Sequence, residues 1–150
     1  MESVKQRFTD LGTVIDGIHS LFDQLQPDEL HPALDETAIL QAKLAVHEWT
    51  ANLVQHADFG GRIPQIVVDV WTESDQIRCT VEDNSNGFDL EGQLMEKRNG
   101  LPSVPERGMG LLMLEACTSD LRYEKTEGGH CRLQFIVNAG QDPCLNIPFS

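Results

Sequence analysis

The chain has 150 residues with 40% hydrophobic and 23% charged side chains, the usage of one ordinary folded domain and not of a disordered chain. Its 11 Lys and Arg against 24 Asp and Glu leave a formal charge of −13, which argues against direct nucleic-acid binding, where a basic stripe must displace counterions. No apolar run reaches the roughly 18–20 residues of a membrane span, and the opening from Met1 to Phe8 lacks a secretory signal's apolar stretch. Cys79, Cys117, Cys131 and Cys144 contain no Cys-x-x-Cys pair, and no histidine stands at finger spacing from one. That pattern signals neither a disulfide framework nor a zinc site, and it suits a reducing cytoplasm.

In chain order, residues 9–25 predict a first helix, with Thr9 as its cap and Leu11, Val14, Ile15, Ile18, Leu21, Phe22 and Leu25 at helical spacing. Pro27 and Pro32 bracket a break. A longer helix is expected from about Thr37 to Ala57, with Ala42, Val46, Trp49 and Leu53 as its apolar stripe. The period then changes to that of strands. Ile66–Trp71 and Ile77–Asp83 form a hairpin, residues 84–108 a long loop, and Met109–Thr118 a short apolar helix. A second hairpin joins Asp120–Lys125 to Cys131–Val137 around Gly128 and Gly129. Helices first and an antiparallel sheet afterwards predict one α+β domain over 1–150, a two-layer α/β sandwich.

Three segments carry candidate chemistry. On the long helix Glu48, Asn52 and His56 stand at i, i+4 and i+8, on one face that borders the apolar stripe. Taken alone, such a stripe is more often a solvated helix face. Asp83 shares the phase of Ile77, Cys79 and Val81, so it points toward the core at the strand end. A core-facing aspartate is costly unless it meets a donor. A ligand amino group is one such donor, and a buried backbone amide or a nearby threonine is another. The following Asn84-Ser85-Asn86-Gly87 also suits a plain turn. The third segment, Arg107-Gly108-Met109-Gly110-Leu111, leads directly into a helix. Free N–H groups and the positive end of the helix dipole can meet phosphate there. A dinucleotide-binding fingerprint is excluded, because no strand directly precedes these glycines and the third glycine is missing.

In this order the segments Glu48-(x)3-Asn52-(x)3-His56, Asp83-x-x-x-Gly87 and Gly108-x-Gly110-Leu111 resemble the N box and two glycine boxes of the Bergerat-type (GHKL) ATPases. Gyrase B subunits and sensor histidine kinases share that fold. The short length and the stretch Glu106-Arg107-Gly108-Met109-Gly110-Leu111 are most similar to the anti-sigma-factor serine kinases. The resemblance covers about residues 35–137. It implies that Asn52 holds the Mg2+ bridging the nucleotide phosphates and that Asp83 accepts from the adenine amino group. By the same resemblance Gly87 lets the backbone approach the base, and Gly108, Met109, Gly110 and Leu111 form the phosphate box beside Arg107. Glu48 would be the general base. Ser85 stands where the family's box has its first glycine, and either His130 or Cys131 stands where the last strand usually has threonine.

The function implied is an ATP-dependent protein serine kinase that binds a sigma factor and phosphorylates an anti-anti-sigma (STAS-type) partner in the cytoplasm. The family also implies a homodimer. A complete sensor histidine kinase is not expected, since no phospho-acceptor helix precedes the ATPase region. The alternative is a non-catalytic module that keeps the fold and regulates by contact. Residues from about Asp89 to Arg107, between the base-reading strand and the phosphate box, are expected to form a lid ordered by nucleotide. A short helix from Asp89 to Lys97, packed through Leu90 and Leu94, is the other reading.

Overall fold

The computed structural model describes residues 3–25, 35–73, 75–90, 92, 95 and 109–139. Five strands form one antiparallel sheet: β1 (Ser3–Phe8), β2 (Ile66–Glu73), β3 (Gln76–Asp83), β4 (Ser119–Lys125) and β5 (Cys131–Asn138), in the order β1-β2-β3-β5-β4. Helices α1 (Val14–Phe22), α2 (Glu36–His56) and α3 (Met109–Ala116) pack on its apolar face. The α+β sandwich expected from the sequence is the fold found.

Alternation explains which way each strand faces. Ile66, Val68 and Val70 of β2, Ile77, Cys79 and Val81 of β3, and Leu133, Phe135 and Val137 of β5 are buried against the helices. From α2 the sheet receives Ala42, Ala45, Val46, Trp49 and Leu53, all at most 2% exposed. Asp35 caps α2, its Oδ1 accepting from the Ala38 N–H at 2.6 Å. The Gln41 amide donates to the Cys117 carbonyl at 3.5 Å, tying α2 to the end of α3.

The N-terminal segment departs from expectation. Strand β1 precedes the first helix and pairs along β2, from Ser3 opposite Trp71 to Phe8 opposite Ile66. Its period was illegible because an edge strand buries little: Phe8 is buried, while Lys5, Gln6 and Arg7 remain exposed. Thr9 caps nothing. Thr13 occupies the start of α1 without a side-chain cap bond, and Asp10 organises the turn before it, accepting from the Gly12 N–H at 2.9 Å. Gly17 lets α1 lie close on β1, since a Cβ there would run into the Phe8 ring.

Cys79 and Cys131 are buried free thiols, as expected of small apolar groups in strands. Cys117 is disulfide-bonded, a pairing that sequence spacing does not signal because tertiary proximity sets it. Most of the lid expected over Asp89–Arg107 lies outside the described residues. Leu90, Gly92 and Met95 are helical, Leu90 is buried in the core, and the Gly92 N–H bonds to Asp89 Oδ1 at 3.1 Å. Leu90 is thus buried as the short-helix reading expects, while its other anchor, Leu94, lies outside the described residues. Among the described residues no helix is long and apolar enough to cross a membrane.

Candidate active site

Register puts the site at one end of the sheet. Ile66, Asp83, Cys131 and Lys125 lie side by side across β2, β3, β5 and β4. Asp83, the last residue of β3, is inward as its phase requires and only 1% exposed. Its Oδ1 accepts from the Ser85 N–H at 2.8 Å. Its Oδ2 is buried and has no hydrogen-bond partner among the described residues. Burial pushes the Asp83 carboxyl above the usual carboxylate range, and the Ser85 hydrogen bonds and the charges of His130 and Lys125 oppose that shift. A buried acceptor left without a donor costs about 1–3 kcal/mol. The backbone-amide donor considered from the sequence is therefore real, but it satisfies only one of the two oxygens.

The turn after Asp83 is held from both sides. Outside, Asn84 Oδ1 accepts from the Gln65 N–H at 2.8 Å, and its amide donates to the Ile63 carbonyl at 3.0 Å. Arg62 donates to the Asn84 carbonyl at 3.1 Å and to Asn86 Oδ1 at 2.6 Å. Inside, the Ser85 hydroxyl accepts from the Gly87 N–H at 3.2 Å. Among the described non-glycine residues only Asp120 has positive φ. Ser85 therefore sits where its family counterpart is glycine without left-handed strain.

Gly87 does need to be glycine, with φ of +103°. A Cβ there would reach ordinary contact with the Cys131 sulfur at 3.5 Å, so the conformation forbids it and not the space. Gly87→Ala is expected to cost about 1–2 kcal/mol, lowering Tm by about 2–8 °C in thermal unfolding followed by circular dichroism. An unchanged Tm would show that the turn relaxes freely.

The position opposite Asp83 is also decided. Cys131, not His130, is its neighbour in register, and its thiol faces the Ser85 carbonyl at 3.9 Å. His130 turns toward the other face and meets Glu82, Nδ1 to Oε1 at 3.2 Å.

Helix α2 supplies the second wall. The Trp49 indole meets Phe88 edge-on at 5.8 Å between centroids and Tyr123 at 5.1 Å, so α2 is fastened to the glycine turn and to β4. Glu48 and Asn52 are half-buried and one turn apart on α2, and His56 is exposed at its end. The Glu48 side chain is 29% exposed, with His47 Nδ1 3.9 Å from its Oε1. Met109 and Gly110 open α3, and Leu111 is buried in the core. Arg107 and Gly108 lie outside the described residues.

ATP fits what is present: an unpaired buried acceptor at Asp83 and a backbone cradle at Gly87. Among the described residues no group of three or more His, Cys, Asp and Glu could hold a metal ion. Magnesium here would take the Asn52 carbonyl oxygen together with nucleotide phosphate oxygens, a ligand set this ion accepts readily. The sequence reading missed Tyr123 and Lys125. Tyr123 is half-buried on β4 beside Trp49, and Lys125 Nζ reaches the Asn86 carbonyl at 3.4 Å. Only the register of β4 against β5 brings either residue near Asp83.

Residues 28–135 match the histidine kinase-like ATPase domain family. The chain is 33% identical over 111 residues to the serine-protein kinase RsbW of Listeria monocytogenes serovar 1/2a and to that of Listeria innocua serovar 6a. It is 31% identical to the protein of the same name from Listeria monocytogenes serotype 4b. In each case 69% of this chain and 69% of the relative are covered. With its sheet, its Asp83–Gly87 turn and these relatives, the chain belongs to the histidine kinase-like ATPase family.

Proposed function

We propose that the chain is an ATP-dependent protein serine kinase and anti-sigma factor, which binds a sigma factor and phosphorylates a serine of an anti-anti-sigma (STAS-type) protein. The observation that carries this reading is the buried Asp83 Oδ2 at the end of β3, without a hydrogen-bond partner among the described residues, on the face of the sheet that α2, with Glu48 and Asn52, covers. Its support is the serine-protein kinase name of its relatives.

In this reading Asp83 accepts from the adenine amino group and Gly87 admits the base against the backbone. Asn52 directs its carbonyl oxygen at the metal. Gly108, Met109, Gly110 and Leu111 hold the phosphates with Arg107. Mg2+ bound with ATP neutralises the phosphate charge that builds during transfer. Glu48 takes the proton from the partner's serine hydroxyl as its oxygen bonds to the terminal phosphorus and ADP leaves. The acidic chain, at −13, suits a partner such as a sigma factor that carries basic surface.

The test is calorimetry with Mg-ATP, followed by transfer of labelled terminal phosphate to a STAS-type protein. Asn52→Ala is expected to lose at least tenfold in Mg-ATP affinity, about 1.4 kcal/mol. His56→Ala, at the exposed helix end, is expected to bind like the wild type. Loss of binding in a folded His56→Ala variant would reassign the metal-side residue. The second reading is a binding module without transfer, favoured by Ser85 in place of the family's first glycine and by the missing threonine at His130 or Cys131. Nucleotide binding with no transfer to any STAS-type partner would select it.

A further inference from the structure

Asp83 is not the only unsatisfied group at this end of the sheet. The Tyr123 hydroxyl is also buried and has no hydrogen-bond partner among the described residues. Tyr123 stands opposite Leu133 and Lys125 opposite Cys131, while Asp83 stands opposite Cys131 from the other side. Tyr123 and Asp83 therefore flank Cys131 on the inward face. The Tyr123 ring is fixed there by the edge-on Trp49 indole at 5.1 Å. Its hydroxyl lies near the Cys131 thiol and the Phe88 backbone and within reach of the Asp83 charge, and burial raises the phenol's pKa, so it remains a neutral donor. Buried tyrosines ordinarily place the hydroxyl on a partner. Here a donor and an acceptor, neither with a hydrogen-bond partner among the described residues, lie at neighbouring register positions on either side of Cys131, near the Gly87 turn.

We propose that the Tyr123 hydroxyl is a second base-reading group, donating to a ring nitrogen next to the adenine amino group that Asp83 accepts from. The pair is complementary to adenine, which presents a donor amino group beside an acceptor ring nitrogen. Guanine presents an acceptor oxygen where Asp83 needs a donor, so the two residues together select the base. Tyr123 is in this sense a specificity residue, and its role rests on the ATP-binding reading above.

Tyr123→Phe removes the hydroxyl and keeps the ring against Trp49. Because the hydroxyl has no hydrogen-bond partner at bonding distance among the described residues, the fold and Tm are expected to hold. Isothermal titration with Mg-ATP should then show affinity lower by about 3- to 10-fold, the range of one neutral hydrogen bond. Repeating the titrations with 1-deaza-ATP and 7-deaza-ATP identifies the nitrogen. For the analogue lacking it, wild type and Tyr123→Phe should bind alike, which a merely structural role would not produce. Equal ATP affinity in the two proteins would overturn the proposal and leave the ATP reading intact. So would a deficit that persists undiminished with both analogues, since Tyr123 would then act through packing. Failure of the wild type to bind Mg-ATP at all would overturn the ATP reading and this inference with it.

Discussion

Glu48→Gln is expected to bind Mg-ATP and its protein partners like the wild type and to transfer phosphate 10²- to 10⁴-fold more slowly. That range is what a positioned general base contributes, about 3–5 kcal/mol of barrier. Glu48 suits the role by position. It is one helical turn from Asn52 on α2 and half-buried at 29% exposure, with only His47 Nδ1 near its carboxylate among the described ion pairs. Glutamine keeps the size and can still accept a hydrogen bond, but it cannot take the proton. Single-turnover transfer to a STAS-type protein, read beside calorimetric ATP affinity, separates chemistry from binding. Equal transfer rates would demote Glu48 to a positioning or structural role. A parallel loss of ATP affinity would place it in nucleotide binding instead.

Asp83→Asn should uncouple stability from binding. Asparagine keeps a carbonyl oxygen for the Ser85 N–H and removes a buried charge whose second oxygen has no partner among the described residues. The unliganded variant is therefore expected to melt at or a few degrees above the wild-type temperature. ATP affinity should fall by roughly 10- to 150-fold, since a hydrogen bond to a charged acceptor is worth about 1.5–3 kcal/mol.

The pH dependence has opposite signs for the two properties. Burial raises the folded-state pKa of Asp83 above its ordinary value. Between the ordinary and raised values the native protein binds more protons than the unfolded chain, so this group's contribution to stability falls as pH rises through that window. ATP affinity rises over the same window, because only the ionised carboxylate is a full acceptor. The Asn variant should lose both dependences. Unchanged ATP affinity in a folded Asp83→Asn variant would end the adenine assignment, and a markedly lower Tm would show that Asp83 is paired within the protein.

Much of the site was legible before the fold because its signals are local. The i, i+4 spacing of Glu48 and Asn52 sets them on one helix face by helical geometry alone. The alternation Ile77, Cys79, Val81, Asp83 aims Asp83 inward by strand geometry alone, and Asn84-Ser85-Asn86-Gly87 has the composition of a turn. The two hairpins followed from the same period-2 pattern, with β3 ending at Asp83 and β4 at Lys125 as expected. Short-range periodicity does not need to know what lies opposite.

What only the tertiary structure decided depends on register and on edges. Strand β1 was invisible because its face is mostly polar, and β2 supplies the pairing that makes it a strand. The choice of Cys131 over His130 opposite Asp83 turned on a one-residue register, which reverses the face of every side chain on the strand. Whether Ser85 strains the turn was settled by backbone angles held through Asn84 and Asn86 by Arg62, Ile63 and Gln65, about twenty residues earlier in the chain. Tyr123 had no local signal at all: a lone tyrosine in a polar strand becomes a candidate base reader only when β5 sets it beside Cys131 and α2 closes Trp49 over it. Local spacing determined which residues could do chemistry, and cross-strand register decided which of them meet, because hydrogen-bond pairing between distant segments leaves no periodic trace in either segment alone.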